Sequence, residues 1–127
     1  MIEVILGFSL YVNTPKEVIE TIQYLLNNEL EVPNNFPEIE SKFDYFFNGS
    51  SYYFGVCKPV KEFWKDKSSG QWCLSSRTQT GLKQKDIEEL LNWLKPYIEY
   101  GSGLNDVYAM TIGEEDINFT VYSLYED

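Results

Sequence analysis

The side chains here that could take part in chemistry are carboxylates, lysines, tyrosines and two cysteines, because the 127-residue sequence contains no histidine. That removes Ser-His-Asp and Cys-His nucleophilic systems, the commonest general base near neutral pH and the commonest transition-metal ligand. A phosphate-cradling loop is also missing, since Gly101-Ser102-Gly103 has no lysine after it and opens a strand pattern rather than a helix. Glu114-Glu115-Asp116 invites a calcium reading. Consecutive carboxylates in an extended turn diverge, however, and no alternating acidic pattern gathers them, so a solvated hairpin tip is expected.

Cys57 and Cys73 are too far apart for a CxxC site. A hairpin reversing near Ser68-Ser69-Gly70 would pair Glu62 with Cys73 and Thr78 with Cys57. The two thiols then lie about five residues out of register, roughly 16 Å along the strand. A disulfide needs Cα atoms within about 7 Å, so both are expected to be reduced. The residue types point to no catalytic, cofactor-binding or metal-binding set. A non-enzymatic protein that works by binding is the expectation.

Charge says more about the partner. The net charge is −10, from 20 acids and 10 bases. Residues 1–57 hold 8 acids and 2 bases, residues 58–95 hold 5 acids and 8 bases, and residues 96–127 hold 7 acids and no base. Such a molecule repels nucleic acid and attracts basic partners. Lys58, Lys61, Lys65, Lys67 and Arg77 do lie near Trp64, Tyr52 and Tyr53, a mix able to stack on and clamp a single strand. The acidic flanks oppose that use, and lysines on an edge strand also discourage aggregation, so no direct nucleic-acid contact is expected.

The elements that must position these residues follow from periodicity. Ile2, Val4, Leu6, Phe8, Leu10 and Val12 share one parity, as in a strand with one buried face. Thr14-Pro15-Lys16-Glu17 reads as a capping box with proline at the first helical position. Val18, Ile19, Ile22, Leu25 and Leu26 then make residues 15–28 an amphipathic helix. Residues 29–49 suggest a loop and a short helix around Phe43, Phe46 and Phe47. A strand is expected over 51–57, and a hairpin from Val60–Trp64 and Gln71–Thr78, with Phe63, Trp72 and Leu74 on one face and Trp64 and Cys73 on the other. A second helix runs from Asp86 to Tyr97 on Ile87, Leu90, Leu91, Leu94 and Ile98, weakened near its end by Pro96. Strands over 106–112 and 117–125 close the chain.

That order predicts one α+β domain over 1–127. It is a two-layer sandwich, a mostly antiparallel sheet of about four to six strands with two main helices on one face, ferredoxin-like with additions. The start of the chain lacks the basic residues of a secretory signal, and no apolar run approaches the roughly 20 residues of a membrane span. A cytoplasmic protein with chance glycosylation sequons at Asn48 and Asn118 is expected.

At Ile87-x3-Leu91-x-Trp93-Leu94-x-Pro96-Tyr97-Ile98, followed by Ile112-Gly113-Glu114-Glu115, the chain resembles small bacterial immunity proteins of polymorphic-toxin and contact-dependent inhibition systems. The likeness covers about thirty residues. It implies tight binding to a cognate toxin, often a nuclease with a basic cleft, where acidic complementarity speeds association and occludes the site. The contacts this suggests are Glu99, Asp106, Glu114, Glu115 and Asp116, with Trp64 or Trp93 as an aromatic anchor. Trp93 lies one step off the helix stripe and reads first as a tryptophan at the rim of the core, with an exposed aromatic patch as the alternative. Two other readings stand beside this one: a regulatory or phage-derived module, including an acidic nucleic-acid mimic, and a small-ligand sensor, since sheets of this kind often form homodimers around metabolites.

Overall fold

A computed structural model describes residues 1–28, 30–33, 41–47 and 60–125. Among these residues, six strands and two α-helices follow in chain order: β1 (Ile2–Leu10), α1 (Lys16–Leu26), β2 (Val60–Lys65), β3 (Trp72–Thr80), α2 (Gln84–Leu94), β4 (Ile98–Tyr100), β5 (Val107–Gly113) and β6 (Thr120–Ser123). Short 3-10 turns occupy Ser41–Tyr45 and Lys95–Tyr97. The strand expected over 51–57, which includes Tyr52, Tyr53 and Cys57, lies outside the described residues, as does Lys58.

All described strand pairs are antiparallel, in the order β2-β3-β1-β5-β6. The run β5-β1-β3-β2 is the ferredoxin-like arrangement, with β6 added outside β5. β4 pairs with the last residues of β1, where β5 has stopped pairing, so β4 and β5 share one edge of β1. The other edge belongs to β3.

Val4, Leu6, Phe8 and Leu10 turn one face of β1 into the core. They meet Val18, Ile22 and Leu25 of α1 and Ile87, Leu90, Leu91 and Leu94 of α2 in one cluster. Two layers suffice because each helix presents one apolar stripe and the sheet one apolar face. Phe43, Phe46 and Phe47, all at most 2% exposed, fill the same core from the short segment 41–47. Lys42 bridges that segment to α2 through Asp86 and Glu89, each at 3.1 Å.

Several local expectations are corrected. Val12 lies past the end of β1 and is 66% exposed, so it does not extend the buried stripe. The capping box does not form. Pro15 takes the N-cap position, and the Thr14 hydroxyl donates back to the Tyr11 carbonyl at 2.6 Å. α2 ends at Leu94, Pro96 sits in the 3-10 turn, and Ile98 is buried as the first residue of β4 rather than as helix.

The hairpin register also differs. Glu62 opposes Ser75 and Trp64 opposes Cys73, two residues from the expected pairing. The cause is the loop. Asp66 Oδ2 accepts hydrogen bonds from the Ser68 hydroxyl, the Ser69 amide and the Ser69 hydroxyl, and Gly70 closes the turn at φ +76°. This moves the reversal one residue towards the C-terminus. A two-residue slip preserves strand parity, so Phe63 still stacks on Trp72, with centroids 4.8 Å apart, on the helix side.

A candidate interaction face on the helix-free side of the sheet

Register and pleat fix which side chains lie on the sheet face away from the helices. Across one row run Trp64, Cys73, Ser9 and Tyr100, each opposite the next. Across another run Arg77, Ile5, Met110 and Val121. On β2 this alternation sets two lysines apart from Trp64: Val60, Glu62 and Trp64 share this face, whereas Lys61 and Lys65 point to the helix side. There Lys61 Nζ donates to the Leu26 carbonyl at 3.2 Å, at the C-terminal end of α1. Among the described residues of the clamp suggested by the sequence, Lys61 and Lys65 therefore lie on the opposite face from Trp64. Arg77, on the Trp64 face, has its Nε 3.8 Å from Glu3 Oε1.

The face is closed at one end and open at the other. Near the start of β1, Glu3 is 0% exposed, Gln79 1% and Ile112 8%. Both amide atoms of the Gln79 side chain are buried without a hydrogen-bond partner among the described residues. Towards the far end, Trp64 and Tyr100 are exposed. Between them lies an apolar recess of about 460 Å³ walled by Ile5, Val107, Met110 and Val121, with Ser102 and Gly103 at its rim. Its floor is at Gly7, where an added Cβ would meet nothing within 4 Å. A register shift between Val107 and Ala109 inserts Tyr108 and helps shape the recess. Tyr108 and Ala109 are both buried in the core, which leaves Val107 on the recess side.

The residues singled out in sequence fall in three places. Glu114, Glu115 and Asp116 form the β5–β6 tip, all exposed. Glu114 lies 3.1 Å from the Met1 ammonium, and Asp116 accepts from the Gly113 amide at 2.8 Å. Glu99 and Asp106 lie at the opposite end of β5, a strand spanning roughly 20 Å. Glu99 accepts from the Gln71 side chain at 2.5 Å. Asp106, in the left-handed region at φ +50°, accepts from the Gly101 amide at 3.0 Å and so shapes the loop beside the recess. Trp64 is on the helix-free face. Trp93 is half-buried against the core and meets the Tyr97 ring edge-on at 5.9 Å, away from that face.

A second, polar cleft of about 340 Å³ separates α2 from β6, with Glu88, Asn92, Lys95 and Tyr122 among its walls. Tyr122 donates to Glu88 at 2.7 Å and accepts from Gln84, which also donates to Thr111 at 3.0 Å. Burial, and then the hydrogen bond to Glu88, pushes the Tyr122 phenol up to about 12. A catalytic base or nucleophile at neutral pH needs the opposite shift. This phenol is held as a donor that clamps β6 to α2. No group of acids and cysteines able to hold a metal ion occurs among the described residues. Cys73 is a free thiol pushed up by burial and then by the charge of Asp66.

Nothing in the residue pattern marks the recess itself. A glycine inside a strand reads as a local weakness, and only the pairing of three strands shows that it opens a hollow. Against known proteins, the chain matches no family model, no curated protein and no solved structure.

Proposed function

We propose that this chain is a non-catalytic protein-binding module that takes a basic partner, and that it acts as an immunity-type inhibitor masking the cationic surface of a toxin. The observation carrying this reading is the way sheet order sorts charge. The hairpin of β2 and β3, residues 60–80, holds four bases and two acids on one side of β1. On the other side, residues 98–125, which contain β4, β5 and β6, hold five acids and no base. β1 contains neither lysine nor arginine. A base-free edge of this kind steers a cationic protein to one flank of the molecule and raises its association rate.

The test is co-expression with each protein encoded beside its gene, followed by purification and a growth assay. A stable complex with a basic, growth-inhibiting neighbour, and rescued growth, is the expected result. Association should slow as salt rises. The double substitution Glu114→Lys and Glu115→Lys should slow it further without unfolding the chain, since both side chains are exposed. If no neighbouring product forms a complex, the reading is wrong.

A further inference from the structure

We propose that the Gly7 recess is the seat for a single large apolar side chain, presented by the partner between lysines and arginines. This rests on the reading of the chain as a binder of basic proteins and names the subsite it would use.

A glycine in the middle of a strand costs stability relative to alanine, and nothing near Gly7 demands its small size: its φ is not positive and a Cβ would stand in open space. What the missing side chain does is keep a hollow open. The walls are apolar and the volume, about 460 Å³, accommodates one bulky side chain. One wall, Val121, is itself 53% exposed and so open to a partner. Apolar pockets from which a partner's side chain displaces water are where binding energy concentrates in protein interfaces.

Charge identifies the occupant. Among the described residues, every wall residue comes from β1, β5, β6 or the loop after β4, and none of these elements contains a lysine or arginine. Asp106 shapes the loop beside the recess, Glu99 lies at the same end of β5, and Glu114, Glu115 and Asp116 form the tip at its other end, all on the base-free side of β1. A second copy of the chain is disfavoured, because pairing through this face would bring two base-free, acidic edges of a −10 molecule together. An apolar side chain flanked by cations satisfies both the hollow and the field.

The probe is a synthetic peptide, Arg-Lys-Trp-Lys-Arg, titrated into the full chain and followed by amide chemical shifts, beside the same peptide with alanine for tryptophan. Shifts should centre on Ile5, Gly7, Met110 and Val121, and the alanine peptide should bind roughly tenfold more weakly or worse. Gly7→Leu fills the hollow and should reduce the tryptophan peptide to the level of the alanine one. Val121→Ser, at an exposed position, should weaken it in the same sense and covers the case in which Gly7→Leu does not fold. Equal binding of the two peptides overturns the recess while leaving a purely electrostatic binder standing. Shifts centred elsewhere, unchanged binding by both variants, or no binding of the tryptophan peptide also overturn it, whereas the wider reading stands or falls on the cognate complex.

Discussion

The phenol of Tyr122 joins β6 to α2 through Glu88 and Gln84. Its pKa is raised from about 10 in the unfolded chain to about 12 in the fold, so the neutral form is the one the structure favours. The stability this contributes is fully present below about pH 10 and is lost as pH rises towards 12. Comparing urea midpoints of the wild type and Tyr122→Phe should show a gap that is constant near neutral pH and narrows across that window. A gap independent of pH would mean that the phenol titrates normally. At this scale little was legible beforehand. Glu3 alternates with apolar residues and reads as the solvent side of β1, yet it is fully buried, opposite Gln79 and with its Oε1 3.8 Å from Arg77 Nε. Asp106 and Asp116 read as surface charge for a partner, yet each also accepts a backbone amide hydrogen bond in its own turn. Such short-range bonds depend on turn geometry that one sequence does not specify.

Segment 41–47 carries more of the core than its length suggests. Phe46 and Phe47 meet edge-to-face at 4.8 Å, and with Phe43 they are among the largest fully buried side chains. Phe46→Ala should cost about 3–5 kcal/mol, read from the denaturation midpoint at unchanged slope. A loss below about 1 kcal/mol would show that the segment is dispensable to the core. Elements with strong periodicity were legible as sequence: β1 by its alternation, α1 and α2 by their stripes, and the hairpin by its turn residues. Their ends were less so. Pro15 displaces Thr14 from the cap, Pro96 converts the last turn of α2 to 3-10 geometry, and Asp66 recentres the hairpin loop. In each case a hydrogen bond or a fixed φ overrode a spacing rule. The recess belongs at this scale too, since it exists only where β1, β5 and β6 are aligned.

At the scale of the whole molecule, a charge of −10 on 127 residues opposes compaction by self-repulsion. Added salt screens that repulsion, with a Debye length of about 10 Å at 0.1 M. Thermal midpoints should therefore rise from low to moderate sodium chloride, and a fall would show that ion pairs such as those of Lys42 outweigh the repulsion. Layering and class were legible at this scale because element order alone restricts an α+β chain to few topologies. No described helix is long and apolar enough to cross a membrane. Strand order has one more consequence. The hairpin edge and the base-free edge lie about four strand spacings apart, roughly 19 Å, so the described part of the molecule carries a permanent electric dipole across its sheet. In the field of an approaching polycation that dipole experiences a torque before any surfaces touch. The molecule would then arrive already rotated, with β6 leading, and part of the orientational search would be complete before contact.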